Sequence, residues 1–421
     1  MKKNYTSLLI ALLLCATHLV SAQTAQGCDG TRYSENIFDD VTMTTVYYGT
    51  NTDMAGNSFD LEMDIYQPVG DNLEKRPLMI WAHGGAFLGG DRTDPFVVNN
   101  CIEFAKKGFV TATISYRLFP VPDLGIPDST EMMDAAMKSL GDMKAAIRHF
   151  RQDADTDNLY KIDPDYIIAT GLSAGAIMAV HAAYLDENDN VADYMETVIE
   201  NNGGIEGTTG DATNQSYSSE VAAAISLSGA LHRREWMSPG EPPLASYHGT
   251  DDDVVPYNHG IATFLIYEFL SLDGAGVLKQ RADDLGIYNY HVAAPGGGHG
   301  SAYEADFGQF FSEFQVGSLD FLQQVLCNTP TSVEDQELLE AQVLVYPNPA
   351  KSSVALEVSE YAQGYTIELY DQLGRQLRNF GNQLNPAFQF DRGDLNNGVY
   401  FLQINFNDTA VAPVVRKITF E

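Results

Sequence analysis

A serine flanked by two glycines stands between a predicted strand and a predicted helix. The run "GLSAG" at 171–175 places Ser173 after the apolar stretch 165–171 and before the small-residue stretch "AIMAV". Glycines suit a sharp turn at this point, because a Cβ would collide with the neighbouring strand or helix. The turn would hold the serine hydroxyl at a helix N-terminus, where backbone amides favour developing negative charge. The pattern indicates a nucleophilic serine, and its alternative is a plain small-residue turn between packed elements.

A second glycine-rich segment follows an earlier apolar strand. The sequence "WAHGGAFLGG" places His83 and two glycines at the end of the strand-like run 77–83. Backbone N–H groups of such a loop can converge on one point, and small residues let a substrate approach them closely. The segment therefore indicates an oxyanion-binding loop. An ordinary glycine-rich turn from strand to helix is the alternative.

These two segments, together with "LEMDIYQP", "ISYRL" and "HGTDDDVVP", resemble the α/β-hydrolase superfamily. The similarity covers roughly residues 30–327 and points in particular to the HGG carboxylesterase and lipase-like branch, which includes bifunctional feruloyl/acetyl xylan esterases. It implies a catalytic triad in the chain order serine, acid, histidine. It also implies oxyanion donors from the amides of Gly85, Ala86 and Ala174. Ala86 is a departure, because a third glycine often follows "HGG" in that branch.

The acid of the triad is expected within a run of three aspartates. The sequence "SYHGTDDDVVPY" contains Asp251, Asp252 and Asp253. The family pattern H-G-T-x-D-x-x-V-P places the acid at Asp252. Its carboxylate would orient the imidazole and stabilise the imidazolium that forms during attack. The two neighbouring aspartates are expected to be solvated turn residues.

The base is expected in a glycine-rich loop after the last strand of the sheet. The sequence "VAAPGGGHGSAY" contains His299, which follows both the serine and the acid as the family order requires. His291 is an alternative, but it lies within a predicted strand and is expected to pack there. His259 is close in sequence to the acid and comes too early. His83 is expected to brace the oxyanion loop.

The elements that must position these residues are visible as alternating strand-like and helix-like runs. Two runs with alternating polarity, 43–50 and 59–68, predict antiparallel strands at a sheet edge. Helical spacing is present at 95–108, 130–150 and 259–274. Short apolar runs, typical of strands covered on both faces, lie at 77–83, 109–116, 165–171, 221–229, 244–248 and 289–294. The order predicts an α/β fold with a doubly wound, mostly parallel sheet, in which the insertion 186–220 is a candidate lid.

The two ends of the chain have a different character. Residues 1–22 have a basic start, a short apolar core and a small-residue cleavage site, which predicts a signal peptide ahead of a catalytic domain at 23–327. Residues 328–342 are polar and acidic and predict a linker. Residues 343–421 contain seven short strand-like runs, which predict a small all-β sandwich.

The C-terminal segment also resembles a known family. The sequences "VLVYPNPAKSSVALEV", "IELYDQLGRQL", "LNNGVYFLQI" and "VRKITFE" are similar to the sorting domain of the type IX secretion system of Bacteroidetes bacteria. The resemblance implies the type IX machinery as a partner and a secreted or cell-surface location across the outer membrane. A carbohydrate-binding sandwich is the alternative, with Tyr361, Tyr365 and Phe380 as its few candidate aromatic residues.

Composition and cysteine content narrow the functional classes. The chain of 421 residues has 24 Lys and Arg against 57 Asp and Glu, a net charge of -33, which disfavours nucleic acid and anionic lipid as partners. No segment after residue 22 is predicted to span a membrane. An exported protein can form disulfides, and Cys28 and Cys327 lie near the two ends of the main domain, so we expect them to pair. Cys101 is expected to be a buried thiol.

The sequence as a whole predicts a secreted serine carboxylic-ester hydrolase that works through an acyl-enzyme on Ser173. Its substrates would be short-to-medium acyl esters, or acetyl and feruloyl groups on polysaccharide. No metal or cofactor is required by this chemistry. A serine peptidase of the prolyl-oligopeptidase kind and a non-catalytic secreted binding protein are the alternatives.

Overall fold

The computed structural model describes residues 24–264, 267–327, 343–358, 364–371, 375–406 and 414–421. The predicted signal peptide and the predicted linker therefore lie outside the described residues, as does Tyr361.

An eight-stranded mixed sheet forms the centre of the described chain from residue 24 to residue 327. The strands of this part of the chain are β1 (Val41–Thr52), β2 (Ser58–Pro68), β3 (Arg76–Ala82), β4 (Val110–Ile114), β5 (Ile162–Leu172), β6 (Ala223–Leu227), β7 (Ala230–Leu231), β8 (Leu244–Gly249), β9 (His259–Phe264), β10 (Tyr267–Gly274) and β11 (Asn289–Ala294). The sheet has the order β1-β2-β4-β3-β5-β6-β8-β11. β1 and β2 are antiparallel, and all pairs from β4 to β11 are parallel. This is the α/β-hydrolase arrangement, as predicted.

Helices cover both faces of the sheet. They are α1 (Pro95–Lys106), α2 (Val121–Leu124), α3 (Ser129–Asp155), α4 (Ala174–Tyr184), α5 (Asp193–Asn201), α6 (Ala275–Leu285) and α7 (Gly308–Cys327). One core cluster joins α3 and α4 to the sheet, and a second joins α1 and α7 to its opposite face. Because both faces are covered, every residue of β3, β4, β6 and β8 is buried. Among the described residues, no helix combines the length and apolar character that crossing a bilayer requires.

The long helix α3 begins where the sequence offers a strong start signal. The Asp128 side chain accepts hydrogen bonds from the N–H groups of Thr130 and Glu131, and the Glu131 side chain accepts one from the Asp128 N–H. This reciprocal pair satisfies donors that the first turn of a helix leaves open. The predicted helix at 130–150 is confirmed, with an additional turn at its C-terminus.

The helix predicted at 259–274 is wrong. This segment forms β9 and β10, which pair antiparallel with each other and, through β10, with β7. Ile261, Phe264, Tyr267 and Phe269 are β-branched or aromatic and suit a pleated surface better than a helix. Short apolar segments can match helical spacing and strand alternation equally well, and packing over the neighbouring helices selects the hairpin here.

The C-terminal region consists of seven antiparallel strands, as predicted. They are β12 (Val343–Tyr346), β13 (Ser353–Val358), β14 (Tyr365–Tyr370), β15 (Gln376–Gln383), β16 (Ala387–Asp391), β17 (Gly398–Phe406) and β18 (Val414–Phe420). They form a three-stranded sheet, β12-β13-β16, and a four-stranded sheet, β15-β14-β17-β18, around a shared apolar core. Tyr365 is buried and Phe380 packs against Phe388 and Phe390. These two aromatic residues therefore support the core rather than an exposed sugar-binding platform.

Cys28 and Cys327 form the predicted disulfide. The bond ties the N-terminal segment of the described chain to the last residue of α7, across a sequence separation of 299 residues. Next to it, the Ala25 N–H donates to the Leu326 carbonyl at 2.8 Å. Cys101 is a buried free thiol, also as expected.

Removal of this disulfide is predicted to destabilise the protein. Cys28→Ser/Cys327→Ser should lower the free energy of unfolding by about 2 to 5 kcal/mol, because the oxidised bond restricts a very long loop in the unfolded chain. Guanidinium denaturation measures the change, and the reduced wild-type protein serves as the matched control. Equal unfolding midpoints for the oxidised wild type and the double variant would contradict the prediction.

Candidate active site

Ser173 occupies a sharp turn between β5 and α4. Its backbone lies in the positive region, at φ 54° and ψ -117°, which is unusual for a residue with a side chain. A Cβ added to Gly175 would lie 2.1 Å from the Ala82 carbonyl oxygen of β3, and one added to Gly171 would lie 2.2 Å from the Gly175 carbonyl carbon. Both glycines are therefore needed for the close approach of α4 to the sheet, as the motif predicts.

His299 joins Ser173 to Asp252 through its two ring nitrogens. Nε2 lies 2.8 Å from Ser173 Oγ, and Nδ1 lies 2.8 Å from Asp252 Oδ2. In the tautomer that fits these contacts, Nδ1–H donates to the carboxylate and the Nε2 lone pair accepts the serine proton. The arrangement allows the imidazole to take a proton from Ser173 when its oxygen attacks a carbon centre.

The carboxylate of Asp252 is fully buried and has hydrogen-bond donors on both oxygens. Oδ1 accepts from the N–H groups of Val254 and Val255, both at 2.9 Å. Oδ2 lies 3.1 Å from His248 Nε2 and 2.8 Å from His299 Nδ1. Burial by itself raises the pKa of Asp252, but the hydrogen bonds from His248 and His299 outweigh it and hold the pKa well below its usual range. The group is therefore ionised at neutral pH.

The neighbouring aspartates have different surroundings. Asp251 is exposed and accepts a hydrogen bond from the Thr250 hydroxyl at 3.1 Å. Asp253 is also exposed. Among the described residues, Asp252 is the only one whose carboxylate forms a hydrogen bond with His299. The family pattern thus selects the one aspartate of the three that faces the histidine.

The alternative histidines lie elsewhere. His291 Nδ1 lies 2.8 Å from Ser246 Oγ and its Nε2 lies 3.0 Å from the Tyr257 hydroxyl. His259 is largely exposed and its Nδ1 lies 2.8 Å from Asp273 Oδ1. Both rings are thus held in contacts of their own, away from the serine.

The three residues meet because they follow the carboxyl ends of neighbouring parallel strands. Ser173 follows β5, Asp252 follows β8 and His299 follows β11. The last two loops are packed tightly, since a Cβ on Gly249 would lie 2.2 Å from the Gly297 carbonyl oxygen. The Asp251 N–H also donates to that same oxygen at 2.9 Å. Loops at this edge are the usual position of ligand sites in open α/β sheets.

The oxyanion loop lies directly beside the serine. A Cβ added to Gly84 would lie 3.3 Å from Ser173 Cβ. Gly85, Ala86 and Phe87 all have positive φ values, 125°, 55° and 59°. For a residue with a side chain this conformation costs about 1 to 2 kcal/mol. The positive φ at Ala86 gives a physical reason for the glycine that related sequences often have there.

Two of the three predicted oxyanion donors, Ala86 and Ala174, line the same cavity as Ser173. Ala174 is the first residue of α4, so its N–H has no carbonyl partner one helical turn earlier. Gly85 precedes Ala86 in the same left-handed segment. Amides in this position can stabilise an oxyanion that develops beside Ser173.

His83 braces the oxyanion loop, as expected. Its ring stacks on Tyr116 with centroids 4.2 Å apart, and Nδ1 lies 2.7 Å from the Gly84 carbonyl oxygen. Burial lowers the pKa of His83, so the ring is neutral at neutral pH. The Tyr116 hydroxyl donates to the His83 carbonyl at 2.8 Å and fixes the loop from the other side.

The walls of the cavity include residues that the sequence did not indicate. Met195 of α5 comes from the insertion that we considered as a lid. Elsewhere in that insertion, Thr209 and Asn214 bond to Arg117 and Arg148, which fixes this part against the body of the domain. The β9–β10 hairpin provides further apolar walls. The sequence places this segment directly after the acid loop, which could have indicated that it lies near the site. Because the segment was predicted to be a helix, its role as a cavity wall was missed.

No metal site is evident in the described part of the chain, where no group of three or more His, Cys, Asp or Glu side chains could hold an ion.

Two family models match separate parts of the chain. BD-FAE matches residues 63–237. The secretion system C-terminal sorting domain matches residues 344–419. The first match includes the oxyanion loop and Ser173, and the second spans nearly the whole C-terminal region of antiparallel strands. The second match indicates a secreted or surface-exposed protein.

Partial similarity to curated proteins accompanies these matches. The chain is 32% identical over 128 residues to fumonisin B1 esterase of Sphingopyxis macrogoltabida, covering 29% of this chain and 22% of that protein. It is 30% identical over 141 residues to para-nitrobenzyl esterase of Bacillus subtilis (strain 168), covering 31% and 27%. The chain thus spans about a quarter of the length of the curated relatives it matches.

Solved structures to which the chain is similar include Thermogutta terrifontis esterase 2, at 20% identity and a TM-score of 0.48, covering 67% of this chain and 94% of that one. A truncated carbohydrate esterase from gut microbiota has 20% identity and a TM-score of 0.46, covering 69% and 98%. The topology is that of an α/β-hydrolase, within which residues 63–237 are similar to the BD-FAE family, and residues 344–419 are similar to the secretion system C-terminal sorting domain.

Proposed function

We propose that the protein is a secreted serine carboxylic-ester hydrolase that acts through an acyl-enzyme on Ser173. The observation that carries the proposal is the continuous hydrogen-bonded chain from Ser173 Oγ through His299 to the buried carboxylate of Asp252. The BD-FAE match and the similarity to two esterases and a lipase support an ester as the substrate.

The first half of the reaction forms the acyl-enzyme. Ser173 Oγ attacks the ester carbonyl carbon while His299 Nε2 takes the hydroxyl proton. The carbonyl oxygen becomes an oxyanion, which the amides of Gly85, Ala86 and Ala174 stabilise. Asp252 stabilises the imidazolium through the hydrogen bond to Nδ1. The bond to the alcohol oxygen then breaks, and His299 returns its proton to the departing alkoxide.

The second half releases the acid. A water molecule gives a proton to the now neutral His299 and attacks the acyl carbon, which forms a second oxyanion at the same amides. Collapse of this intermediate breaks the bond to Ser173 Oγ, and the proton on His299 returns to the serine. The enzyme is restored, and the products are one carboxylic acid and one alcohol.

The substrates in this proposal are short-to-medium acyl esters, or acetyl and feruloyl groups on polysaccharide. Export through the type IX machinery, directed by the C-terminal sorting domain, would bring the enzyme to such substrates outside the outer membrane of a Bacteroidetes-type bacterium. The sorting-domain match supports this route. A panel of p-nitrophenyl acetate, acetylated xylan, methyl ferulate and a prolyl amide tests the substrate class and separates an esterase from a peptidase.

Loss of the nucleophile is predicted to abolish ester hydrolysis. Ser173→Ala should lower kcat for p-nitrophenyl acetate by about 10⁵-fold or more, because no other group in the arrangement forms the acyl-enzyme. Circular dichroism and the melting temperature show whether the variant remains folded. Hydrolysis by a folded Ser173→Ala protein at the wild-type rate would overturn the proposal.

The three aspartates provide matched substitutions for testing the acid. Asp252→Asn should lower kcat by roughly 10⁴-fold, because an amide at this position favours the wrong histidine tautomer. Asp251→Asn and Asp253→Asn change the same chemical group on exposed side chains and should alter kcat less than about threefold. If one of these neighbours proves the sensitive residue instead, the assignment of the acid is wrong by one position.

A further inference from the structure

A cavity lined by Ser173 runs along α4 into the domain. Its walls come from α3, α4, α5, the oxyanion loop, the acid loop and the β9–β10 hairpin. Along α4 the lining residues include Ser173, Ile177 and His181, which are spaced by four and therefore lie on one face of the helix. The serine stands at one end of this row and His181 at the other, so the cavity follows α4 inward from the nucleophile.

The position of His299 decides which half of an ester enters the cavity. Ala86 and Ala174, which supply oxyanion amides in the proposed mechanism, line the cavity, whereas His299 is not among its lining residues. His299 must reach the alcohol oxygen to protonate it as it leaves. The alcohol half of the substrate therefore lies on the His299 side, and the acyl half points into the cavity.

The lining is apolar and without charge. Among the described residues, no Asp, Glu, Lys or Arg side chain lines the cavity. Five methionines do line it, namely Met132, Met133, Met137, Met178 and Met195. Unbranched methionine side chains adapt to irregular apolar guests. Such a lining binds hydrocarbon and excludes a charged acyl group.

The two histidines at the inner end do not change this character. Burial lowers the pKa of His181 to about 4 and also lowers the pKa of His232, so both rings are neutral at neutral pH. His181 Nδ1 lies 2.7 Å from the Ile177 carbonyl oxygen, and its Nε2 accepts from the His232 N–H at 3.3 Å. His181 therefore has partners on both nitrogens and offers no cation for a distal carboxylate.

The length of the cavity sets the length of the chain it can hold. The eight residue-to-residue steps from Ser173 to His181 rise about 12 Å along the helix axis. Carbon–carbon bonds of about 1.5 Å advance by somewhat less than their length in an extended zigzag, so this distance corresponds to roughly eight to ten carbons.

We propose that this cavity is an acyl-binding site for uncharged, linear apolar chains of medium length, about eight to ten carbons. The inference rests on the proposed function, because it assigns the substrate class of the same serine. An acetyl group would fill only a small part of this cavity, so the inference distinguishes the protein from an enzyme that is specific for acetyl esters.

A chain-length series on the full-length wild-type protein tests the inference without any variant. The esters are p-nitrophenyl acetate, butyrate, hexanoate, octanoate and decanoate, each below its micellar concentration, with methyl ferulate as an aromatic comparison. Each methylene that leaves water contributes roughly fourfold at most. We therefore expect kcat/KM to rise at least tenfold from the butyrate to the best medium-chain ester. A maximum at acetate, or a preference for methyl ferulate over every aliphatic ester, would overturn the inference while leaving the esterase proposal intact. Hydrolysis of none of these esters would contradict the esterase proposal itself.

A substitution that shortens the cavity provides an independent test. Ile177 lies halfway between Ser173 and His181, so Ile177→Trp should obstruct the inner half. We expect the octanoate-to-acetate ratio of kcat/KM to fall at least tenfold. Met195→Trp obstructs the cavity from a different wall and should lower the same ratio, which covers the case in which the helix variant does not fold. Val316→Trp adds the same bulk at a largely exposed site on α7, outside the cavity, and serves as the matched control with a wild-type ratio. An unchanged ratio in both folded cavity variants would overturn the inference.

Discussion

A buried, ionised carboxylate at the end of β8 is the constraint on which the site depends. An isolated charge in the interior costs several kcal/mol, so a buried carboxylate is stable only where donors surround it. Asp252 receives two backbone amides of its own loop on one oxygen, and His248 and His299 on the other. The backbone amides and His248 hold the carboxylate in place, and the carboxylate in turn accepts the hydrogen bond from His299 Nδ1. This hydrogen bond orients the opposite ring nitrogen, Nε2, toward Ser173.

The sheet brings these groups together at the expense of local backbone strain. Residues 173 and 299 are 126 positions apart, yet the strand order β5-β6-β8-β11 places the loops that carry them at one edge. Ser173, Ala86 and Phe87 all adopt positive φ at this edge. Such strained conformations persist where the surrounding contacts hold the backbone in place, and they are common at active sites. Here all three residues line one cavity.

Much of this arrangement could be predicted, because it is encoded locally. The elbow needs glycines at 171 and 175, and the buried parallel strands need continuous apolar runs. The acid was placed at Asp252 by the resemblance to the family pattern H-G-T-x-D-x-x-V-P. The hairpin at 259–274 was predicted incorrectly, because its apolar residues fit a helical period and only packing against distant elements selects strands. The cavity could not be predicted at all. Its walls come from α3, α4, α5 and the hairpin, and no local pattern reveals that Met133, Ile177 and Met195 share a surface. The hydrogen bond between His248 and Asp252 was not predicted from the sequence either.

The central claim is that Ser173 is the nucleophile and that His299 and Asp252 activate it. An organophosphate such as paraoxon reacts with an activated serine and stays bonded to it, so intact-protein mass spectrometry followed by peptide mapping measures the claim directly. We predict a single diethylphosphoryl adduct on Ser173 in the native protein, much slower labelling in Asp252→Asn, and none at that residue after unfolding. An adduct on another residue, or full ester hydrolysis by a native protein quantitatively labelled at Ser173, would contradict the account.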